Sequence, residues 1–283
     1  MTKDLRNQLV VENKINTDNN DHNKHQEHTQ KQGSHHHQKQ QQQNSSVSYD
    51  VNLQYDPQTP EGGKPTKLTI HITERPSGES IREFETIHDK LMHLIIASED
   101  LSYFAHIHPT LEDSKSAFSI FHTFPDAGKY KIWIDFKPKN GSQTLTAFSS
   151  NVTGNPIHKQ IPITNDKQHV KEIDGKYQIS LTTPQEIRAN SDVDIAFNIS
   201  DAAGHPITDL EPLMGAGGHS VIISGDIQEF LHVHPSEEVE STWKGGPTVH
   251  FNTRFPKPGL YKVWGQFQHQ GGVITIDFVL EVA

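Results

Sequence analysis

Two groups of histidines with one shared spacing are the residues best suited to chemistry. His93 is followed thirteen residues later by His106-Ile107-His108-Pro109, and His219 at the same interval by His232-Val233-His234-Pro235. In an extended strand residues i and i+2 lie on one face, so the two imidazoles of each His-x-His pair point the same way. The segment from His93 to Ser98 is predicted to turn at Glu99-Asp100 and return as Leu101 to His108, a hairpin that brings His93 opposite the His106–His108 stretch. The second group repeats this, with its turn at Gly225-Asp226. Three neutral imidazoles at about 2.0 Å from an ion suit Zn(II) or Cu(II). His88 and Met92 precede His93, and Met214 precedes His219. Thioether beside imidazole leans toward copper, which uses both in its two oxidation states. The candidate metal ligands are therefore His88, Met92, His93, His106 and His108 in the first group and Met214, His219, His232 and His234 in the second. The competing reading is a structural network, with the ring nitrogens bonded to carbonyls at the hairpin end.

Other chemistries find less support. The chain has no cysteine, which excludes disulfides, thiolate zinc sites, iron–sulfur clusters and the cysteine-ligated blue-copper centre. There is no His-Glu-x-x-His and no Gly-x-Ser-x-Gly, and Gly215-Ala216-Gly217-Gly218 precedes a strand rather than a helix, so it is no phosphate loop. Glu99, Asp100 and Asp226 fall on the far turns of the hairpins, away from the histidines. With no carboxylate spaced to act as a general base, the expectation is binding without catalysis. No catalytic residue and no organic cofactor is assigned.

The elements that must position these histidines are strands. Tyr49, Val51, Leu53 and Tyr55 alternate with polar residues, as do Leu68, Ile70 and Ile72, then Phe118, Ile120, His122 and Phe124, then Tyr130, Ile132, Ile134 and Phe136. The runs end at turn formers such as Asp56-Pro57, Pro125-Asp126-Ala127-Gly128 and Lys139-Asn140-Gly141. This is the period of half-buried antiparallel strands, and no sustained 3.6-residue period competes with it. The chain also repeats itself. His93 to Pro109 aligns without a gap on His219 to Pro235, with eight identical positions of seventeen. Phe124-Pro125-x-x-Gly128-x-Tyr130-Lys131-Ile132-Trp133 aligns on Phe255-Pro256-x-x-Gly259-x-Tyr261-Lys262-Val263-Trp264. Trp133 and Trp264 are expected to anchor the sandwich cores. The predicted fold is all-β, two tandem immunoglobulin-like or cupredoxin-like antiparallel sandwiches of roughly seven or eight strands each. They are placed at 48–153 and 176–283, joined by a linker at 154–175.

Residues 1–47 differ in kind. They hold six histidines, a Gln40 to Gln43 run and little apolar clustering, and are expected to be a disordered tail, read first as a solvated spacer and second as a loose collector of metal. The tail has six basic and five acidic residues, so of the net −10 the body carries −11, from 19 basic and 30 acidic residues. An acidic body argues against nucleic acid and anionic membranes and favours cations. No apolar run has membrane-spanning length, and the N-terminus lacks the apolar centre of a signal peptide.

At His88-Asp-Lys-Leu-Met92-His93 through His106-Ile-His108-Pro109, and at the two Phe-Pro-x-x-Gly-x-Tyr-Lys-x-Trp strands, the sequence resembles bacterial secreted or lipid-anchored β-sandwich modules of the YtkA/FixH-like, immunoglobulin-like or cupredoxin-like kind. The resemblance covers 48–283. It implies a context of heavy-metal, especially copper, handling at the cell envelope, and the two His trios as ligands. Cupredoxins also need a ligand cysteine after Pro-Gly-x-Tyr; here Pro258-Gly259-Leu260-Tyr261-Lys262-Val263-Trp264 has none. The function expected is non-enzymatic binding of copper or zinc for metal buffering or tolerance, one His cluster per sandwich. The alternative is a metal-free module that binds an envelope protein partner.

Overall fold

In a computed structural model the described residues are 48–112, 114, 116–158, 162–233, 235 and 239–283. The expected tail, 1–47, and the candidate ligand His234 lie outside them. Among the described residues there is no helix, and none long and apolar enough to cross a membrane.

The first repeat comprises β1 (Ser48–Asp56), β2 (Pro65–Arg75), β3 (Phe84–Glu85), β4 (Met92–Ser98), β5 (Phe104–Ile107), β6 (Thr110–Glu112), β7 (Ala117–Thr123), β8 (Gly128–Pro138) and β9 (Thr144–Val152). The second comprises β10 (Val170–Ile173), β11 (Tyr177–Thr182), β12 (Asp192–Asp201), β13 (His219–Ser224), β14 (Phe230–Val233), β15 (Thr248–Arg254), β16 (Gly259–His269) and β17 (Gly272–Val282). Each repeat has an outer sheet, β1-β2-β7-β6 or β10-β11-β12-β15. Each also has an inner sheet, β3-β8-β4-β5 with β9 on β8, or β14-β13-β16-β17. Among the described residues the ladders between these strands are antiparallel, and the architecture is that of two tandem β-sandwiches.

The outer strands follow the period-two expectation. In β2, Leu68, Ile70 and Ile72 are buried and the residues between them are not fully so. They pack on Leu94, Ile96, Ile132, Ile134 and Phe136 of the inner sheet. In the second repeat Ile195, Phe197 and Ile199 meet Ile222, Val263 and Phe267 in the same way.

The inner strands are buried on both faces. Leu94 and Ile96 of β4 face their own sandwich, while Ile95 and Ala97 join Trp133, Val221, Ile223 and Trp264 in a third core shared by the repeats. Trp133 stacks on Phe230 of the other repeat, with ring centroids 5.0 Å apart, and Trp264 stacks on Phe104 at 4.7 Å. Lys131 Nζ donates to the carbonyl of Ile227 at 2.6 Å, and Lys262 Nζ to that of Leu101 at 2.9 Å. These reciprocal pairs relate the repeats by a pseudo-twofold axis. The tryptophans therefore anchor the contact between the sandwiches, not the interior of each. Strand alternation had put them on the face away from Tyr130 and Tyr261; what covers that face is the other repeat.

One internal bond is common to both repeats. Tyr130 Oη donates to the carbonyl of Asp126 and Tyr261 Oη to that of Lys257, each at 2.9 Å, tying the Pro-x-x-Gly turn to the strand after it. Tyr261→Phe keeps the ring and removes the donor. It should cost about 1 kcal/mol, measured as a lower urea midpoint at unchanged slope.

Candidate metal centre

The β4–β5 hairpin pairs Leu94 with Ile107 and Ile95 with His106, so His93 continues opposite His108. On its other side His93 is paired with Asp135 of β8, and the equivalent pair in the second repeat is His219 with Gln266. The side chains of His93, Ile95 and Ala97 share the face of Lys131, Trp133 and Asp135, which is the face covered by the other repeat. Consequently the two histidine groups are not separate. They meet at the pseudo-twofold axis, at one end of the shared core. The ring of His232 lies 5.4 Å from those of His93 and His106, and the ring of His219 lies 6.0 Å from that of His106.

The hydrogen bonds fix which nitrogens face inward. His93 Nε2–H donates to the carbonyl of Ile87 at 2.8 Å, and His219 Nε2–H to that of Leu213 at 2.9 Å. A carbonyl only accepts, so both rings are protonated on Nε2 and carry a lone pair on Nδ1. Gln266 meets Thr275 Oγ1 through Nε2 at 3.2 Å and His106 Nδ1 through Oε1 at 2.8 Å, and with the amide assigned in this orientation His106 donates from Nδ1. That leaves the lone pair of His106 on Nε2. Yet His93 Nδ1 and His106 Nε2 stand 2.9 Å apart, and His108 Nε2 is 3.2 Å from the same His93 Nδ1. Two acceptors at hydrogen-bond distance repel unless a cation lies between them. Two nitrogens bound at about 2.0–2.1 Å to one ion stand about 2.9–3.4 Å apart at bond angles from square to tetrahedral.

A shared proton is a poor filler. Burial pushes His93 below the usual imidazole range, His106 down to about 4 and His108 down to about 3. At neutral pH these rings are uncharged, the form that binds metals. One nitrogen from each of His93, His106 and His232 lies within 4.8 Å of the others, a grouping able to hold an ion. His232 Nδ1 is 3.6 Å from Asp135 Oδ2, whose carboxylate accepts from Gln143 Nε2–H at 3.0 and 2.9 Å.

The remaining candidates are placed as follows. His88 sits in the turn between Ile87 and Lys90, with its ring 5.5 Å from His219 and 6.3 Å from His93. Met92 is fully buried in the first sandwich core and does not face the centre, because β4 alternates and His93 takes the inward face. Its counterpart is Gly218, where a Cβ would meet the Phe267 ring at 2.8 Å; the position serves core volume. Met214 occupies the turn equivalent to that of His88, with the same positive φ, and lines a surface cleft with Asp89 and Trp243. Sequence reasoning missed Asp135 and Gln266. Both stand two residues beyond an interface tryptophan on the same strand face, which was the available signal.

His122, outside the centre, isolates the effect of burying a histidine. It is 9% exposed, packs edge-on against Phe124, and is pushed down to about 4 by burial. The unfolded chain binds its proton near pH 6.5, so the stabilisation present above that pH is lost as pH falls from 6.5 to about 4. His122→Thr, the residue found at the matching Thr253, should abolish that part of the acid loss, on the order of 3 kcal/mol at pH 4. Denaturant midpoints of both proteins at pH 7 and pH 4 check this.

Comparisons place the chain among known sequences and folds. No curated protein matches it. Among solved structures, three N-terminal domains of the Hoc outer capsid protein of bacteriophage RB49 superpose at TM-score 0.21 with 11% identity over 84% of this chain and 59% of that one. Red sea bream transglutaminase superposes at 0.23 with 8% identity, over 83% of this chain and 31% of that one. Domains 4 and 5 of the S-layer protein SbsC superpose at 0.24 with 10% identity, over 84% of this chain and 100% of that one. The chain thus spans less than two thirds of the first two, and at such scores these neighbours do not bear on the site. A family model matches twice, over 43–154 and 171–283, and the chain belongs to that family, described as Domain of unknown function (DUF8832).

Proposed function

We propose that this is a non-enzymatic metal-binding protein whose ion, zinc or copper, is held where the two repeats meet. The donors are His93 Nδ1, His106 Nε2 and His108 Nε2, with His232 closing the site from the other repeat. The observation that carries this reading is the convergence of three ring nitrogens, His93 Nδ1 lying 2.9 Å from His106 Nε2 and 3.2 Å from His108 Nε2, with the His93 ring held by the Ile87 carbonyl so that Nδ1 carries its lone pair. A purely structural network would put a hydrogen between those atoms. The donor set is imidazole throughout, which suits Zn(II) and Cu(II). The orienting partners, the Ile87 carbonyl on His93 and Gln266 on His106, are of the kind that fix the rings of ligating histidines. The acidic body and the six tail histidines favour local accumulation of cations, consistent with buffering or tolerance.

The test is a titration of the demetallated full chain with Zn(II) and with Cu(II) against a competing chelator, repeated on His106→Ala and His108→Ala. Tail sites are common to all three proteins. Each variant should lose one tight equivalent and the rise in melting temperature that accompanies it, which for a ligand at a hundred times its dissociation constant is worth about 2.7 kcal/mol. Unchanged stoichiometry and an unchanged thermal shift in both variants would refute the assignment.

A further inference from the structure

We infer that the centre takes two ions. This rests on the metal reading above and concerns a second, weaker site built by His219, His88 and His232. The pseudo-twofold axis repeats part of the first site, namely the ring-holding carbonyl and the strand pairing. The Leu213 carbonyl fixes the His219 ring as the Ile87 carbonyl fixes His93, leaving His219 Nδ1 directed inward. The pairing of His219 with Gln266 repeats that of His93 with Asp135. His106 and His232 are symmetry counterparts, and their rings, 5.4 Å apart, are flanked by His93 on one side and His219 on the other. His88 completes the second group, 5.5 Å from His219 and 6.4 Å from His232, although it comes from the first repeat.

Two imidazoles bound to one ion near the tetrahedral angle have ring centres about 5 Å apart, given about 2.0 Å bonds. The first group meets that spacing, at 4.8–5.2 Å for His93, His106 and His108. The second is wider, at 5.5–6.4 Å, and an ion there draws the His88 turn inward, since turning a ring about its Cβ–Cγ bond leaves its centre in place. A single four-coordinate ion uses four donors, and six described imidazoles converge here. His232, which stands between the two groups, serves both ions as a bridging imidazolate with one nitrogen on each, so its ring proton passes to solvent when the second ion binds, and the second ion also meets the charge of the first. Binding is therefore sequential, with the second equivalent at least tenfold weaker.

The test is electron paramagnetic resonance of the full chain loaded stepwise with Cu(II). The first interface equivalent should give an isolated Cu(II) spectrum. A further equivalent should produce a spin-coupled pair, seen as lost intensity and a half-field transition. His219→Ala should abolish the pair and keep the isolated spectrum. His88→Ala, at a partly exposed turn, does the same without emptying a buried position, so a folding failure of the first variant does not decide the matter. No coupled pair in the parent protein at saturating copper, or a pair that survives in both variants, overturns the second site and leaves the first standing. Absence of any copper bound through His93, His106 and His108 overturns the first site and the second with it.

Discussion

Trp264→Ala should separate the two sandwiches. Trp264 stacks on Phe104 across the interface and shares the third core with Ile95, Trp133, Val221 and Ile223. Removing a buried aromatic of this size costs about 3–5 kcal/mol, transfer and cavity together. The loss falls on the contact between repeats, because each sandwich keeps its own core of Leu94, Ile96 and Ile132, or of Phe197, Phe251 and Phe278. The expected result is a chain that unfolds in two steps instead of one, with a larger radius of gyration in solution scattering. Metal affinity falls at the same time, since His232 and Gln266 leave the first trio. A single cooperative transition at nearly unchanged midpoint would show that the shared core contributes little.

Gln266→Leu should weaken metal binding without touching a ligand. Gln266 belongs to the second repeat, and its Oε1 holds the His106 ring of the first at 2.8 Å. Leucine has similar size and cannot accept. His106 then loses the partner that fixes its Nδ1–H tautomer and aims Nε2 at the ion. Loss of such an orienting contact typically costs 10–100-fold in metal affinity. Gln266→Glu keeps an acceptor and should retain or tighten binding. Chelator competition with Zn(II) on both variants checks the pair. Equal affinity in Gln266→Leu and the parent protein would detach the second repeat from the first repeat's site.

The strand pattern was readable because one face of each outer strand is core and the other is solvent. Leu68, Ile70 and Ile72 sit where their spacing put them. The hairpins were also readable, since the turn residues and the thirteen-residue interval fix the register that sets His93 against His108. What could not be read was the union of the two histidine groups. Register is a property of one hairpin, whereas the meeting of His93 and His106 with His232 depends on how two sandwiches pack. The hint lay in Leu94-Ile95-Ile96-Ala97 and Val221-Ile222-Ile223, runs apolar at every position and therefore covered on both sides. Read that way, Trp133 and Trp264 belong to the contact between repeats. Met92 misled because a thioether beside a histidine is attractive chemistry. Adjacent residues of a strand nevertheless face opposite ways, and the neighbour of an inward His93 had to enter the core.

The central claim is that His93 and His106 present two unprotonated nitrogens to one cation at the junction of the repeats. Long-range proton–nitrogen correlation spectra of histidine-labelled full chain observe each ring nitrogen directly, with the tail histidines as separate signals. In the metal-free protein at neutral pH the account predicts His93 protonated on Nε2 and His106 on Nδ1. One equivalent of Zn(II) should then shift His93 Nδ1, His106 Nε2, His108 Nε2 and a nitrogen of His232 together. A proton found between His93 and His106, with these signals unmoved by zinc, would contradict it and make the cluster a hydrogen-bonded joint between two sandwiches.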